Sequence, residues 1–341
     1  MANNQSNFKR KDFLRIVAAA GAVGAAAKIG LGELLAPARV SDSRVLMGTL
    51  VNLTLVGEDR GAARKALEGC FSKMSALEGV LSRYQRDSQL SILNAVGEFL
   101  HPDPALVQVI KEAIEISQKT EGKFDITVQP VLDLFESYHQ RGVGLPPEDQ
   151  VQQALSLVNY RKITAGEDKV SFQTPGMGIS LDGIAKGFIV DQGLEVLQQA
   201  GFSRLLVEAG GDLAASGRNS RDQRWKIGVL APRDEQAQFT SKVSLADQAL
   251  ATSGDYQKYY TPDLKHHHII DPTRGYSPPE LASATVVAPT GMSADGYATA
   301  LMVLGVEKGW EIMESIPDVE ALMVTKTGLV KETSGFGALA G

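Results

Sequence analysis

Hydrophobic and polar positions along the chain follow the two spacings that distinguish helices from strands. Apolar side chains recur at helical spacing over residues 60–81, which predicts a long helix there. Residues 45–56 alternate apolar and polar side chains and are rich in β-branched types, which predicts a strand. The two periods follow each other closely, so the chain is expected to combine helices with sheet.

Further elements follow from the same patterns together with capping residues, prolines and glycines. The predicted helices cover a short segment ending near 94, then 102–120, 130–138, 184–200, 294–304 and 307–315. The predicted strands cover 162–164, 170–173, 178–181, 204–208, 225–230, 242–245, 284–287 and 321–325. Residues 141–150 are polar with several glycines and prolines, which marks a surface loop and a candidate boundary between two lobes. Residues 335–341 are expected to form a flexible tail. This irregular order favours a mixed α+β arrangement within the α/β class over a regular doubly wound sheet.

Composition is typical of an ordinary globular protein. The chain has 341 residues, of which 43% are hydrophobic and 22% charged, and its net charge is −6. The acidic balance, without a basic stripe that carries aromatic residues, argues against nucleic-acid binding. A single cysteine, Cys70, excludes a disulfide within the chain and a cysteine-based zinc site.

The N-terminus, residues 1–38, has the features of an export signal. Lys9-Arg10-Lys11 precedes an apolar run over 16–27, which is too short to span a bilayer, and Ala36-Pro37-Ala38 offers a cleavage site. The Arg10-Lys11 pair resembles a twin-arginine signal with lysine in the second place. We therefore expect a periplasmic or otherwise extracytoplasmic protein, associated with the inner membrane if the leader is retained. A tethering or disordered leader is the alternative.

Asp295 and Thr299 form the first candidate site. Four residues apart in a predicted helix, they lie on one face, and their oxygens suit a hard cation such as Mg²⁺. The alternative is that Asp295 caps the helix and Thr299 is an ordinary residue of its first turn.

Glycine-rich turns supply further candidates. The segment Ser180–Gly187 joins a predicted strand to a helix and could bind phosphate with Lys186, or be a plain turn capped by Asp182. The run Gly210-Gly211-Asp212 permits a tight turn or a close ligand. The segment 251–256 could bind phosphate or form a hairpin turn.

Three consecutive histidines follow. Alternate residues of an extended segment share a face, so His266, His267 and His268 cannot all surround one ion. His268 precedes two isoleucines, which predicts a strand, and it could act as a general base near neutral pH. A solvated histidine tract is the alternative, above all for His266 and His267.

Taken together and in order, these motifs resemble the FAD:protein FMN transferases of the ApbE family, over about residues 45–330. The matching segments are Met47-Gly48-Thr49; Ser82-Arg83-Tyr84 with Ser88 and Asn94; 122–128; 181–188; Gly210-Gly211-Asp212; Thr252-Ser253-Gly254; 268–272 with Gly275; and Ala294-Asp295 with Ala298-Thr299-Ala300. The resemblance implies one catalytic domain with mixed sheets and flanking helices. It implies a Mg²⁺-dependent transfer of FMN from FAD to a threonine hydroxyl of an acceptor flavoprotein, with release of AMP. Acceptors carry an Asp-x-x-[Ser/Thr]-Gly-Ala-Thr-type motif and are often subunits of respiratory flavoproteins.

Carried over by position, the resemblance implies a role for each matching residue. Asp295, Thr299 and the backbone of Gly183 would hold Mg²⁺. His268 is the first candidate for the base, and Asp182 is a second candidate base or a residue of the metal shell. The positions implied to contact FAD are Met47, Tyr84, Lys123, Phe124, Asp125, Ser180, Lys186 and Ile269. The Asp182–Lys186 spacing could also be a structural contact on the helix. Three alternatives stay open: an FAD pyrophosphatase that forms FMN and AMP, an exported flavin-binding protein without turnover, and an α/β domain whose acids and glycines serve only as caps and turns.

Overall fold

A computed structural model of the protein describes residues 39–233 and 239–340. The predicted export signal over 1–38 lies outside the described residues. Within them, every helix is too short or too polar to cross a membrane.

The described chain forms thirteen strands and seven α-helices. The strands are β1 Arg39–Leu46, β2 Thr49–Val56, β3 Glu98–Leu100, β4 Ile163–Ala165, β5 Lys169–Phe172, β6 Leu205–Ala209, β7 Asp212–Ser216, β8 Trp225–Leu230, β9 Phe239–Leu245, β10 Gln248–Gly254, β11 Leu281–Ala288, β12 Glu320–Thr325 and β13 Val330–Glu332. The helices are α1 Arg60–Leu81, α2 Gln89–Val96, α3 Pro104–Lys119, α4 Gln129–Arg141, α5 Glu148–Leu155, α6 Ala185–Gln199 and α7 Gly291–Glu314. The predicted combination of helices and sheet is confirmed.

One eight-stranded sheet organises the fold, in the order β1-β2-β6-β7-β10-β11-β12-β13. All pairings between the described strands are antiparallel, which is more specific than the mixed sheets expected. Helices α6 and α7 pack on one face, and α1 packs on α6. The β8–β9 hairpin and Phe336 cover a smaller apolar cluster around Trp225 and Leu213. This layering places the N-terminal ends of α6 and α7 beside the end of β10.

The prediction of one continuous strand over 45–56 is wrong, because the chain turns within that range and forms parts of two strands. Met47 and Gly48 both have positive φ, +52° and +68°, and they join β1 to β2 as a two-residue hairpin. Turns of this kind match the twist of the paired strands. The hairpin brings Met47 to the rim of the cavity described below.

Residues 178–181 were predicted as a strand, but they form an extended segment outside the sheets. The side chain of Asn94 satisfies this backbone: it donates to the carbonyl of Ile179 (2.8 Å) and accepts from its N–H (2.8 Å). Ser180 N–H donates to the carbonyl of Ile126. Side-chain and loop partners replace a neighbouring strand here, and the segment stays free to line the cavity.

Helix α7 corrects the cap interpretation of Asp295. The helix begins at Gly291 after Thr290, and both carboxylate oxygens of Asp191 accept its first N–H groups, at 2.6 and 2.9 Å. Asp295 therefore lies inside the helix. The two helices predicted over 294–304 and 307–315 form one element interrupted at Gly305, whose φ is +77°.

The remaining boundary predictions meet mixed outcomes. The polar loop after 141 is shorter than predicted, since α5 begins at Glu148 and packs on α4; its role as a boundary between lobes stays a prediction. Residues 336–339 form a 3₁₀ turn with Phe336 fully buried, so the expectation of a flexible tail is wrong there. Strands β7 and β10 were not predicted, because their small and apolar residues show little alternation.

Candidate functional site

One cavity of about 520 Å³ gathers the residues that the sequence singles out. Its walls come from the β1–β2 turn, the segment after α1, the turn after α3, the segment before α6, the end of β10, the loop before β11 and one face of α7. All thirteen predicted site residues line it: Met47, Tyr84, Lys123, Phe124, Asp125, Ser180, Asp182, Gly183, Lys186, His268, Ile269, Asp295 and Thr299. Segments that are far apart in sequence therefore form one site.

Two buried carboxylates lie near Lys186, and one of them, Asp295, lines the cavity. Asp295 is 4% exposed, and its Oδ2 accepts a hydrogen bond from Gly187 N–H at 3.0 Å. Asp212, at the start of β7, is 1% exposed and lies with its Oδ2 2.8 Å from Lys186 Nζ. Burial and the neighbouring Asp212 raise the pKa of Asp295 well above its usual range. The single ammonium of Lys186 thus faces two carboxylates.

Thr299 lies one turn along α7 from Asp295, as the sequence predicts. Its hydroxyl is 3.1 Å from that of Ser253 at the end of β10. Gly183 packs directly against it, since a Cβ at that position would lie 2.8 Å from Thr299 Oγ1. The backbone at Gly183, just before α6, therefore lies against Thr299 with no space for a larger residue.

This donor set fits Mg²⁺. The carboxylate of Asp295 and the hydroxyl of Thr299 are hard oxygen ligands, and Mg²⁺ takes few ligands from protein. The unbalanced negative charge of Asp212 and Asp295 is costly when buried, and a bound dication would offset it. Among the described residues no group of three His, Cys, Asp or Glu side chains could hold a metal, so a zinc-type site is not formed there.

His268 has a defined tautomer. Its Nδ1 is 3.0 Å from the carbonyl of Lys258, which also accepts the His268 N–H at 3.0 Å. A carbonyl only accepts hydrogen bonds, so Nδ1 carries the proton and Nε2 keeps a lone pair. Burial lowers the pKa of His268 below its usual 6.5, and the ring is neutral at pH 7. The strand predicted here is wrong: His268 lies in a loop, and the Lys258 carbonyl fixes it.

The other two histidines are not a solvated tract. His267 is completely buried, and burial lowers its pKa to about 3. His266 stacks at 6.4 Å from the ring of Phe135. Both therefore pack the loop that presents His268.

Asp182 is held by two neighbours. Its Oδ2 accepts from Arg83 Nε at 2.7 Å and from Tyr84 OH at 2.8 Å. The predicted pairing with Lys186 is wrong, because Lys186 reaches Asp212 and Asp182 reaches Arg83. Because Oδ2 of Asp182 already accepts hydrogen bonds from two neighbours, the geometry favours His268 as the base.

Aromatic and apolar side chains form the outer wall. Tyr84 is 63% exposed, with the Arg83 guanidinium 4.5 Å from its ring centroid. Phe124 and Ile269 are buried behind the surface, and Met47 lies at the hairpin turn. This wall offers a planar ring system a face on which to pack.

Lys123 and Asp125 have different surroundings. Lys123 Nζ lies 2.9 Å from Thr273 Oγ1 and 3.3 Å from Asp271 Oδ1, at the cavity rim. The oxygens of Asp125 accept from Thr127 N–H (2.8 Å), from its hydroxyl (2.5 Å) and from the N–H of Tyr160 (3.0 Å). Asp125 therefore shapes the turn, whereas Lys123 presents a positive charge.

Sequence reasoning gave no role to Arg83, Asp212 and Lys258, all of which touch site residues, and it proposed Ser253 for phosphate binding without its contact to Thr299. Both Arg83 and Asp212 lie within motifs named above. Arg83 precedes Tyr84, and Asp212 follows Gly210 and Gly211. No local signal marks Lys258, because its carbonyl rather than its side chain contacts His268.

Comparison with known proteins identifies the family to which the chain is similar. A family profile described as the ApbE family matches residues 47–323. A protein named FAD:protein FMN transferase from Salmonella typhimurium is 32% identical over 85% of this chain and 84% of its own length. One of the same name from Haemophilus influenzae is 33% identical over 88% and 91%. The solved structure of the flavin transferase ApbE from Vibrio cholerae superposes with a TM-score of 0.77 at 29% identity, covering 89% of this chain and 99% of that one.

Proposed function

The chain belongs to the ApbE family, and from this premise we propose that it is an FAD:protein FMN transferase. The reaction forms a bond between an acceptor threonine Oγ and the FMN phosphorus. It breaks the pyrophosphate bond of FAD and releases AMP. One observation carries the proposal: the unprotonated Nε2 of His268 and the oxygens of Asp295 and Thr299 meet in a single cavity.

His268 is proposed to accept the proton of the threonine hydroxyl. Its neutral state, its fixed tautomer and its place on the cavity wall suit that role. Asp182 is proposed instead to hold Arg83 and the Tyr84 hydroxyl in place.

Asp295, Thr299 and the Gly183 carbonyl are proposed to hold Mg²⁺. Bound there, Mg²⁺ would neutralise the pyrophosphate and stabilise charge on the departing AMP. The N–H of Gly187 orients Asp295, because it donates a hydrogen bond to a carboxylate oxygen. Lys186 offsets the charge of the neighbouring Asp212.

FAD is proposed to pack a ring system on Tyr84 and the apolar wall formed with Met47, Phe124 and Ile269. Lys123, at the mouth of the cavity, is proposed to supply positive charge for the phosphates. The acceptor is proposed to be a flavoprotein with the Asp-x-x-[Ser/Thr]-Gly-Ala-Thr-type motif. The proposed location is outside the cytoplasm, supported by the leader over residues 1–38.

The test is to incubate the purified protein with FAD, Mg²⁺ and an acceptor domain carrying that motif. A covalently fluorescent acceptor on a denaturing gel, with one AMP released per label, is the expected result. An acceptor with its threonine changed to alanine is the control. FMN and AMP without label would establish a pyrophosphatase instead, and intact FAD bound without turnover would establish a flavin-binding protein.

A further inference from the structure

Glu136, on α4, does not line the cavity, yet it joins the two halves of the site. Its Oε1 accepts a hydrogen bond from Arg83 Nη2 at 2.6 Å and another from Lys258 Nζ at 2.6 Å. Its Oε2 lies 3.4 Å from Arg83 Nη1. One carboxylate thus holds a residue from the segment after α1 and a residue from the loop that precedes β11.

The Arg83 half carries the aromatic wall. The Arg83 side chain is only 6% exposed, so its charge depends on carboxylate partners. Asp182 binds its Nε and Glu136 its Nη atoms, while Nη2 also donates to Tyr84 OH at 2.8 Å. Asp133 is a distant third acid, 4.0 Å away and mostly exposed.

The Lys258 half carries the proposed base. The main-chain carbonyl of Lys258 binds both the N–H and the Nδ1 of His268. Its ammonium is anchored on Glu136 and lies 5.5 Å from the ring centroid of Tyr84. The backbone that orients the imidazole is therefore tied, through one side chain, to α4.

We propose that Glu136 is a positioning residue for the transfer reaction. Through Lys258 it fixes the position of His268, and through Arg83 it fixes the positions of Tyr84 and Asp182. The inference rests on the proposed function, because the transfer reaction is what requires the base and the aromatic wall to be held in fixed positions. Glu136 touches no substrate, and its effect passes through the two cations. Without its charge, both cations lose their shared anchor, and the loop that carries His268 keeps aromatic packing on α4, such as His266 on Phe135, but loses the salt bridge that fixes Lys258.

The kinetic test compares Glu136→Gln with the wild-type protein in the acceptor-labelling assay. Glutamine keeps the shape but not the charge. We expect kcat to fall about ten- to hundredfold, as for a displacement of about 1 Å, while KM for FAD changes little. Asp133→Asn is the matched control, because it removes a carboxylate from the same helix with only a remote contact to Arg83, and it should keep the wild-type kcat. Glu136→Asp should recover part of the loss.

A double-mutant cycle separates positioning from folding. If Glu136 acts through Lys258, then Glu136→Gln combined with Lys258→Met should be little worse than the poorer single variant. Full additivity of the two effects, or wild-type kcat in Glu136→Gln, overturns the inference. A lowered melting temperature with unchanged kcat per folded molecule also overturns it.

A readout independent of transfer is the tautomer of His268, observed by nitrogen NMR of the ring. The wild-type protein should show the Nδ1-protonated form, and Glu136→Gln should show a mixture of tautomers. If the wild-type protein labels no acceptor but this spectroscopic change occurs, the proposed function fails and the positioning stands. If the wild-type protein labels the acceptor and Glu136→Gln does so with wild-type kcat, the positioning fails alone.

Discussion

Gly187→Ala should separate the two helices that frame the proposed metal site. A Cβ on Gly187 would lie 2.0 Å from the carbonyl oxygen of Gly291 and 2.9 Å from Cβ of Asp295. Ordinary contact begins near 3.4 Å, so α7 must move by about 1.4 Å. The obstacle is backbone, which cannot rotate away as a side chain can. The movement would also stretch the hydrogen bond from Gly187 N–H to Asp295.

The expected cost combines two effects. Overpacking costs about 1–3 kcal/mol, and replacing a helical glycine by alanine returns up to about 1 kcal/mol. A backbone clash of this size belongs at the upper end, which leaves a net loss of about 2 kcal/mol. With about 2.1 cal/mol/K of unfolding entropy per residue and about 300 described residues, 1 kcal/mol corresponds to about 1.6 °C, so the melting temperature should fall by about 3 °C. Because Asp295 moves with α7, Mg²⁺ affinity should fall about tenfold or more.

Calorimetry in EDTA measures the first effect, and a Mg²⁺ titration in the presence of FAD measures the second. Gly69→Ala is the matched control: Gly69 is exposed in α1, and its new Cβ would meet only Val196 Cγ1, at 3.9 Å. That variant should melt at the wild-type temperature or slightly above. Wild-type stability together with wild-type Mg²⁺ affinity in Gly187→Ala would refute the close-approach argument.

Three further outcomes follow from the site. Because burial holds the pKa of His268 below its usual 6.5, the acid limb of kcat/KM should have its midpoint below pH 6.5; a midpoint above 6.5 contradicts the assignment, and His268→Gln should lose this limb. Lys186→Met leaves the carboxylates of Asp212 and Asp295 without their cation, so the metal-free protein should lose on the order of 3 kcal/mol of unfolding free energy, and Mg²⁺ should restore part of it; equal losses with and without Mg²⁺ would argue against a metal bound at Asp295. Tyr84→Ala should raise KM for FAD about three- to tenfold while Tyr84→Phe changes it less than about twofold; a larger effect of Phe would shift the role from the ring to the hydroxyl.

Local signals predicted many of the elements well. Helix α1 was predicted over 60–81 and is found as Arg60–Leu81, because its apolar spacing is regular and Asp59 caps its first turn. The hairpin within 45–56 was missed, since a Met-Gly turn lacks the usual Asn-Gly or Asp-Gly signature. Strand β10 was missed because a strand buried on both faces does not alternate.

The same division holds for the site. Types and order of residues along the sequence sufficed to select the cavity-lining positions, because motifs such as Leu181–Phe188 and Ala294–Ala300 are local. The ion-pair partners of these residues could not be predicted from the sequence in the same way. Lys186 was paired with Asp182 by helical spacing, yet it binds Asp212, and Asp182 binds Arg83, which is 99 residues away.

By itself, then, the sequence determined the class of fold and, through its resemblance to a known family, thirteen positions that line the cavity. Only the tertiary structure decided which charges are buried together and which nitrogen of His268 carries the proton. The physical reason is that periodicity and motif are properties of neighbouring residues. Charge pairing, burial and tautomer depend instead on atoms that the sheet and its helices bring together from distant parts of the chain.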